Sequence, residues 1–204
     1  YKLIYFDIRC LGEVSRQLLF LAEQPFEDVR YTFEEWPAHK HETPFGQVPV
    51  LEVDGKQLPQ SFAIARYLAR KYGFAGKDDF EAAWVDAIAD QCKDYFFELQ
   101  PNLAVVVGVR PGDKETAENN LKAAGLKIFF PFVEKRLSDS ASSGFLVGDS
   151  LTWIDLQVAD HVDVMNGLFP GFLDVYPKTL AHSVKVQAEP KLKAYLDKRP
   201  ARSY

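Results

Sequence analysis

The chain has 204 residues, 47% of them hydrophobic and 26% charged, enough apolar surface to offset chain entropy and form a folded core. Its formal net charge of −5, with no Lys/Arg cluster, argues against nucleic acid or an anionic membrane as a partner. No apolar run approaches the ~20 residues that span a bilayer, and the two cysteines, Cys10 and Cys92, lie far apart without zinc or redox spacing, which excludes a disulfide scaffold and favours a reducing compartment.

The chain opens on Lys2 to Phe6 (KLIYF), a short aromatic and β-branched run that reads as a buried strand. Glu13 to Glu23 carries a helical stripe of Val14, Leu18, Leu21 and Ala22. Asp28 to Phe33 alternates as a strand does. Val50 to Val53 is a further strand, Asp54-Gly55 a hairpin turn, and Lys56 to Leu58 the return strand. Ser61 stands as N-cap to a helix that ends at Gly73, where a left-handed cap fits. From Asp78 onward the spacing is helical. Asp79 to Leu99 predicts one long helix, and only Leu103 to Val109 keeps a strand-like texture before the break at Pro111-Gly112-Asp113. Lys114 to Leu137 predicts a second long helix, and Ser138 to Gly144 a turn. Thr152-Trp153-Ile154-Asp155 is a capping box with Asp in place of Glu, opening an apolar helix through Val164. Two short helices follow, Thr179 to Ala188 and Pro190 to Lys198. The pattern is an α/β domain over residues 1–75 and an all-α domain over 79–204.

Several residues have chemistry beyond packing. Tyr5, inside the first strand, reads either as core or as a phenol aimed from the strand into a cleft, where a neutral hydroxyl can donate to a thiolate. Pro49 belongs at a strand edge, or follows a cis bond that turns the backbone of Val48 outward to pair with an extended ligand. The helix start at Gln60-Ser61 offers free N–H groups and a positive dipole end to a carboxylate. Trp36 and Lys40 lie four apart in a loop; His39 and His41 read as surface residues, with too few ligands near them for a metal. Asp86, Asp90 and Asp94 repeat every four residues on one helix face, and three like charges so placed call for a cationic partner outside the helix. Cys10 sits near a helix start, where a thiol pKa can be lowered.

Together KLIYFDIR, EEWPAHKHETPFGQVPVLEVDG, LPQSFAIARYLAR, VDAIADQCKDYF and SLTWIDL resemble the cytosolic glutathione transferases over the whole chain, and most of all the sigma class and its nematode, or nu, branch. The resemblance implies a thioredoxin-like N-terminal domain, an all-helical C-terminal domain, a cytoplasmic homodimer, and conjugation of glutathione, a co-substrate rather than a cofactor, to hydrophobic electrophiles. It implies that Tyr5 donates to the thiolate. Trp36 and Lys40 would hold the glycine carboxylate, Gly46, Gln47, Val48 and Pro49 the cysteinyl unit, and Gln60 and Ser61 the γ-glutamyl group. Asp94 would reach the γ-glutamyl amine of the other subunit. The wall for the electrophile would come from Phe6, Ile8, Leu11 and Phe97, with Arg9 and the C-terminal Tyr204. Cys10 stands where the family often has Gly, and Leu11 where several sigma members have Arg, which counts against prostaglandin isomerase activity more than against conjugation. Glutathione-dependent peroxidase activity and carriage of haem-like ligands are the alternatives.

Overall fold

In the computed structural model, which describes residues 1–139 and 143–201 apart from the side chain of residue 128, the chain begins as the sequence predicts, with β1 at Lys2–Phe6. Its inner residues Leu3, Ile4 and Tyr5 are buried. Around it a four-stranded mixed sheet forms in the order β2-β1-β3-β4. β2 (Glu27–Tyr31) pairs parallel to β1, with Tyr5 opposite Arg30. β3 (Val50–Val53) runs antiparallel to β1 and returns as β4 (Lys56–Pro59). The Asp54-Gly55 turn has φ of 50° and 78°, so both central residues take the positive dihedrals a tight hairpin needs.

A parallel β1–β2 pair needs a crossover, and α1 (Cys10–Leu21) provides it, starting three residues earlier than the apolar stripe suggests. The short α2 (Trp36–His39) and a 3-10 turn (Lys40–Glu42) replace the expected loop. Helix α3 (Ser61–Tyr72) stops at Gly73 in the left-handed conformation, as expected. Ser61 is not its N-cap: Gln60 takes that place with φ 77°, and Ser61 becomes the first helical residue.

The remainder is helical. Helix α4 (Asp79–Val106) is capped by Asp78, whose carboxylate accepts from Phe80 N and Glu81 N at 3.0 and 2.9 Å. It passes through Pro101 and absorbs most of the run read as strand-like. Proline inside a helix costs about 3 kcal/mol, but the buried stripe Val85, Ile88, Ala89, Cys92, Tyr95 and Leu99 continues with Leu103 and Val106 against the core, and packing outweighs the local penalty. Gly108 ends the helix, with Val109 N and Arg110 N both donating to Ala104 O at 2.9 Å.

The predicted second long helix is helical throughout but interrupted. α5 (Lys114–Ala124) passes through a π segment (Gly125–Phe129) into α6 (Phe130–Asp139), which takes in the start of the expected turn. Of that turn, residues 140–142 lie outside the described residues. The missing side chain of Gly125 lets the ring of Phe130 pack there, since a Cβ would come within 2.8 Å of it. Helix α7 (Trp153–Leu168) is the core of this part, and α8 (Pro177–Gln187) and α9 (Pro190–Leu196) pack around it and α1. The capping box at Thr152 and Asp155 forms. The two parts of the chain are fastened by Trp153 N donating to Phe74 O at 2.9 Å and by Phe62 against Trp153 at 5.7 Å. No helix among the described residues is long and apolar enough to cross a membrane.

Candidate active site

Between the sheet side and helices α4 and α7 lies a cleft of about 860 Å³. Its polar end is built from the first 61 residues. Trp36, Lys40, Gly46, Gln47, Val48, Pro49, Gln60 and Ser61 all line it. Trp36 opens α2 with its ring 5.8 Å from that of Phe6, and His39 stacks on Tyr31 at 4.2 Å, so aromatic packing holds the segment that carries Lys40. Gly46, at φ 62°, lies over the Lys40 stem, where a Cβ would come within 3.3 Å of Lys40 Cε. Lys40 has no ion-pair partner among the described residues, so its ammonium is available to an anion. The Val48–Pro49 bond is cis, as the second reading of Pro49 requires. Gln60 and Ser61 bring the amino end of α3 to the same wall, a positive partial charge facing the cleft.

Tyr5 itself is only 3% exposed and stands behind Cys10 and Leu11, which do line the cleft. Its hydroxyl accepts from Leu11 N at 3.2 Å, which orients it. The ring fits against α1 only because residue 12 is glycine: a Cβ there would come within 2.4 Å of Tyr5 Cδ1. Burial and the neighbouring Cys10 push the phenol well above its usual pKa, so it stays protonated and serves as a donor. The expected lowering of the Cys10 thiol pKa does not occur. Burial raises it, outweighing the hydrogen bonds from Tyr5 and the Leu11 N–H. Cys10 has φ 36°, an unusual value outside glycine.

The aspartate row on α4 divides. Arg66 from α3 pairs with Asp86 and Asp90 at 2.7 and 2.6 Å, and Arg70 with Asp86 at 3.1 Å, so the cations those charges call for come from the same chain. Asp94 is exposed, does not line the cleft and has no ion-pair partner among the described residues.

At the apolar end the structure brings Phe6, Leu11 and Phe97 to the cleft wall, but neither Ile8 nor Arg9. Arg9 is turned inward to Asp160 at 2.6 Å and Asp163 at 2.8 Å, because a buried guanidinium needs carboxylate partners. Arg199 joins it through Asp160 at 3.1 Å and Glu13 at 2.8 Å, tying the end of the chain to α1. Tyr204 lies outside the described residues. The wall also has members that the sequence reading did not include: Phe96, Leu103, Arg110 and Lys93 beside or on α4, and Gln157, His161 and Val164 on α7. These carry no local signal, because their neighbours in the cleft are far away in sequence; Gly12, on which the Tyr5 ring packs, likewise lies outside the predicted stripe that begins at Glu13. No cluster of three metal-ligating side chains occurs among the described residues.

A protonated phenol just behind the wall, an ammonium with no ion-pair partner among the described residues, a helix amino end and a cis-proline segment, set beside an apolar wall, suit an anionic peptide thiol next to a hydrophobic reactant. The known proteins that this chain matches have the same chemistry in their names. Residues 1–70 match the family model for the glutathione S-transferase N-terminal domain, and residues 102–199 the model for the C-terminal domain. The chain is 47% identical over 200 residues to a probable glutathione S-transferase of Caenorhabditis elegans, covering 98% of this chain and 97% of the relative. It superposes on a Nu-class glutathione S-transferase from Haemonchus contortus with a TM-score of 0.87 at 50% identity, covering 100% of this chain and 98% of that one. A glutathione S-transferase from the hookworm Necator americanus, described as monomeric, gives 0.93 at 48% identity, with the same coverage.

Proposed function

The chain belongs to the glutathione S-transferase family and carries its transferase activity; we propose that it does so with Tyr5 as donor to the glutathione thiolate and with the other cleft residues as the binding frame. The observation that carries this assignment is the protonated Tyr5 hydroxyl, oriented by Leu11 N behind the Cys10–Leu11 wall of a cleft that is also lined by Lys40, without an ion-pair partner among the described residues, and by the amino end of α3. Glutathione at neutral pH has two carboxylates, one ammonium and a thiol. Lys40 with Trp36 takes one carboxylate, the start of α3 at Gln60 and Ser61 the other, and the cis-proline segment Gly46–Pro49 pairs with the cysteinyl backbone. Lowering a thiol pKa by two units needs about 2.7 kcal/mol. One charge-assisted hydrogen bond of about 1.5–3 kcal/mol, with the helix dipole nearby, supplies it.

Residues 1–75 then form the glutathione-binding domain, and 79–204 the helical domain that presents Phe97 and its neighbours to a hydrophobic electrophile. Asp94, without an ion-pair partner among the described residues, is assigned to the γ-glutamyl ammonium bound by a partner subunit, so that the working form is a homodimer, placed in the cytoplasm. The test replaces Tyr5 with Phe, which keeps the ring packed. Glutathione should still bind, its bound thiol pKa should rise toward the free value, and kcat with an aryl halide should fall about 10- to 100-fold. A full thiolate signal in Tyr5→Phe together with an inactive Cys10→Ser would transfer the role to Cys10. A haematin titration run alongside separates this enzyme from a carrier of haem-like ligands: tight haematin binding without conjugation favours the carrier.

A further inference from the structure

His161 projects from α7, across the cleft from the Trp36–Ser61 wall proposed to bind glutathione, and lines the same cleft. Its imidazole is enclosed by aromatic rings: Phe96 at 5.0 Å, Tyr95 at 5.3 Å, and Phe129 and Phe130 at 6.1 and 6.0 Å. One ring nitrogen, Nε2, lies 3.0 Å from the Tyr95 hydroxyl. The direction of that bond follows from the surroundings. Tyr95 is fully buried, and its hydroxyl has no other hydrogen-bond partner among the described residues. A buried hydroxyl proton left without an acceptor is costly, so Tyr95 donates and Nε2 accepts. The single proton of the neutral ring is then on Nδ1, which has no partner among the described residues. Burial and the nearby Arg9 lower the pKa of His161 to about 3, so the ring stays neutral at working pH.

Asp160, which precedes His161 on α7, lines the cleft too and is held at 2.6 Å by Arg9, which directly precedes the Cys10–Leu11 turn against the Tyr5 hydroxyl. We propose that His161 is a further catalytic residue, whose Nδ1–H donates to the carbonyl oxygen of an α,β-unsaturated aldehyde or ketone bound in the apolar end of the cleft. This rests on the transferase reading above. The thiolate forms a C–S bond at the β-carbon. The C=C π pair moves to the Cα–C bond, and the carbonyl π pair moves onto oxygen. The Nδ1–H steadies that enolate oxygen, and the α-carbon then takes a proton from solvent. Nothing leaves and nothing is oxidised. The donor adds nothing to displacement at an alkyl halide, which develops no oxyanion, so it selects for carbonyl-bearing electrophiles.

The test compares the initial rates of the full-length protein with trans-2-nonenal and with benzyl chloride at saturating glutathione. His161→Phe leaves the Tyr95 hydroxyl without an acceptor, so the Tyr95→Phe/His161→Phe double variant is made beside it. In both, the ratio of nonenal to benzyl chloride kcat/KM should fall on the order of 100-fold, the usual effect of removing one oxyanion donor. His161→Gln, which keeps an N–H donor, should recover part of the ratio. Tyr95→Phe alone, which releases the tautomer, should lower it by less than the loss of His161. An unchanged ratio, with both rates unaltered or lowered alike, would overturn the proposal, as would a wild type active on benzyl chloride and inert to nonenal. A wild type that forms no bound thiolate and conjugates neither substrate would instead overturn the transferase reading on which the proposal rests.

Discussion

Asp155 should be the costliest small truncation in the helical half. The sequence presents it as half of a capping box, for which loss of the side chain costs about 1 kcal/mol. The structure gives it more to do. Asp155 is fully buried. Its Oδ2 accepts from Thr152 N at 2.8 Å and from the Thr152 hydroxyl at 2.6 Å. Its Oδ1 accepts from Leu146 N at 2.8 Å and lies 2.9 Å from His182 Nε2. One carboxylate thus serves the start of α7, the preceding loop and helix α8. Asp155→Ala leaves four buried donors without an acceptor. Each orphaned donor costs about 1–3 kcal/mol. Water entering the vacated space recovers part of that, so the net loss should be about 3–5 kcal/mol, the range found when one partner of a buried charged network is removed. At roughly 2–4 °C per kcal/mol for a chain of this size, the melting temperature should drop by about 6–20 °C. Urea unfolding followed by circular dichroism should show a lower midpoint with an unchanged slope. Thr152→Ala, which keeps the carboxylate and the Thr152 N–H, should cost about 1 kcal/mol. If Asp155→Ala costs no more than Thr152→Ala, the network contributes nothing beyond an ordinary cap, and the reasoning fails.

Three further outcomes follow from the same structure. Gly12→Ala places a Cβ 2.4 Å from the Tyr5 ring, so it should cost about 1–3 kcal/mol of stability and displace the hydroxyl, raising the bound thiol pKa; an active variant with an unshifted thiolate titration would show that Tyr5 tolerates the movement. Asp94→Asn should raise the KM for glutathione and leave the melting temperature unchanged, because Asp94 is exposed and unpaired among the described residues; full activity in a monomeric sample on sedimentation would remove it from the site. The folded pKa of His161 is lowered to about 3, while the unfolded value is about 6.5. Its neutral burial therefore contributes fully above pH ~6.5, and is lost as pH falls toward the folded pKa, where the unfolded chain binds the extra proton. The stability of the wild type relative to the Tyr95→Phe/His161→Phe variant should decline across that window, and a difference constant with pH would contradict it.

Much of the fold is legible in the residues because its signals are local. A short apolar run, Leu3 to Phe6, gives β1, an Asp-Gly pair gives the β3–β4 hairpin, Gly73 ends α3, and a threonine three before an aspartate starts α7. Each depends on neighbours within one or two turns, where dihedral preference and hydrogen-bond reach decide the outcome. The residues proposed to bind glutathione are recognisable through their resemblance to a family pattern, and the structure gathers Trp36, Lys40 and the stretch around Pro49 at one wall.

What remained for the tertiary structure has the opposite character. The valine run after Leu103 has strand propensity, and Pro101 opposes a helix, yet burial of Leu103 and Val106 extends α4 past both. Ser61 has the chemistry of an N-cap, but Gln60, at φ 77°, takes that place and Ser61 starts the helix. Arg9 looks free to meet a substrate until Asp160, about 150 residues later in the chain, draws it inward. His161 carries no signal within the sequence of α7, and only the approach of α4, which brings the Tyr95 hydroxyl to Nε2 of a residue lining the cleft, gives it a chemical role. Propensity acts within a segment, whereas burial, ion pairing and the choice of a tautomer depend on which segments meet.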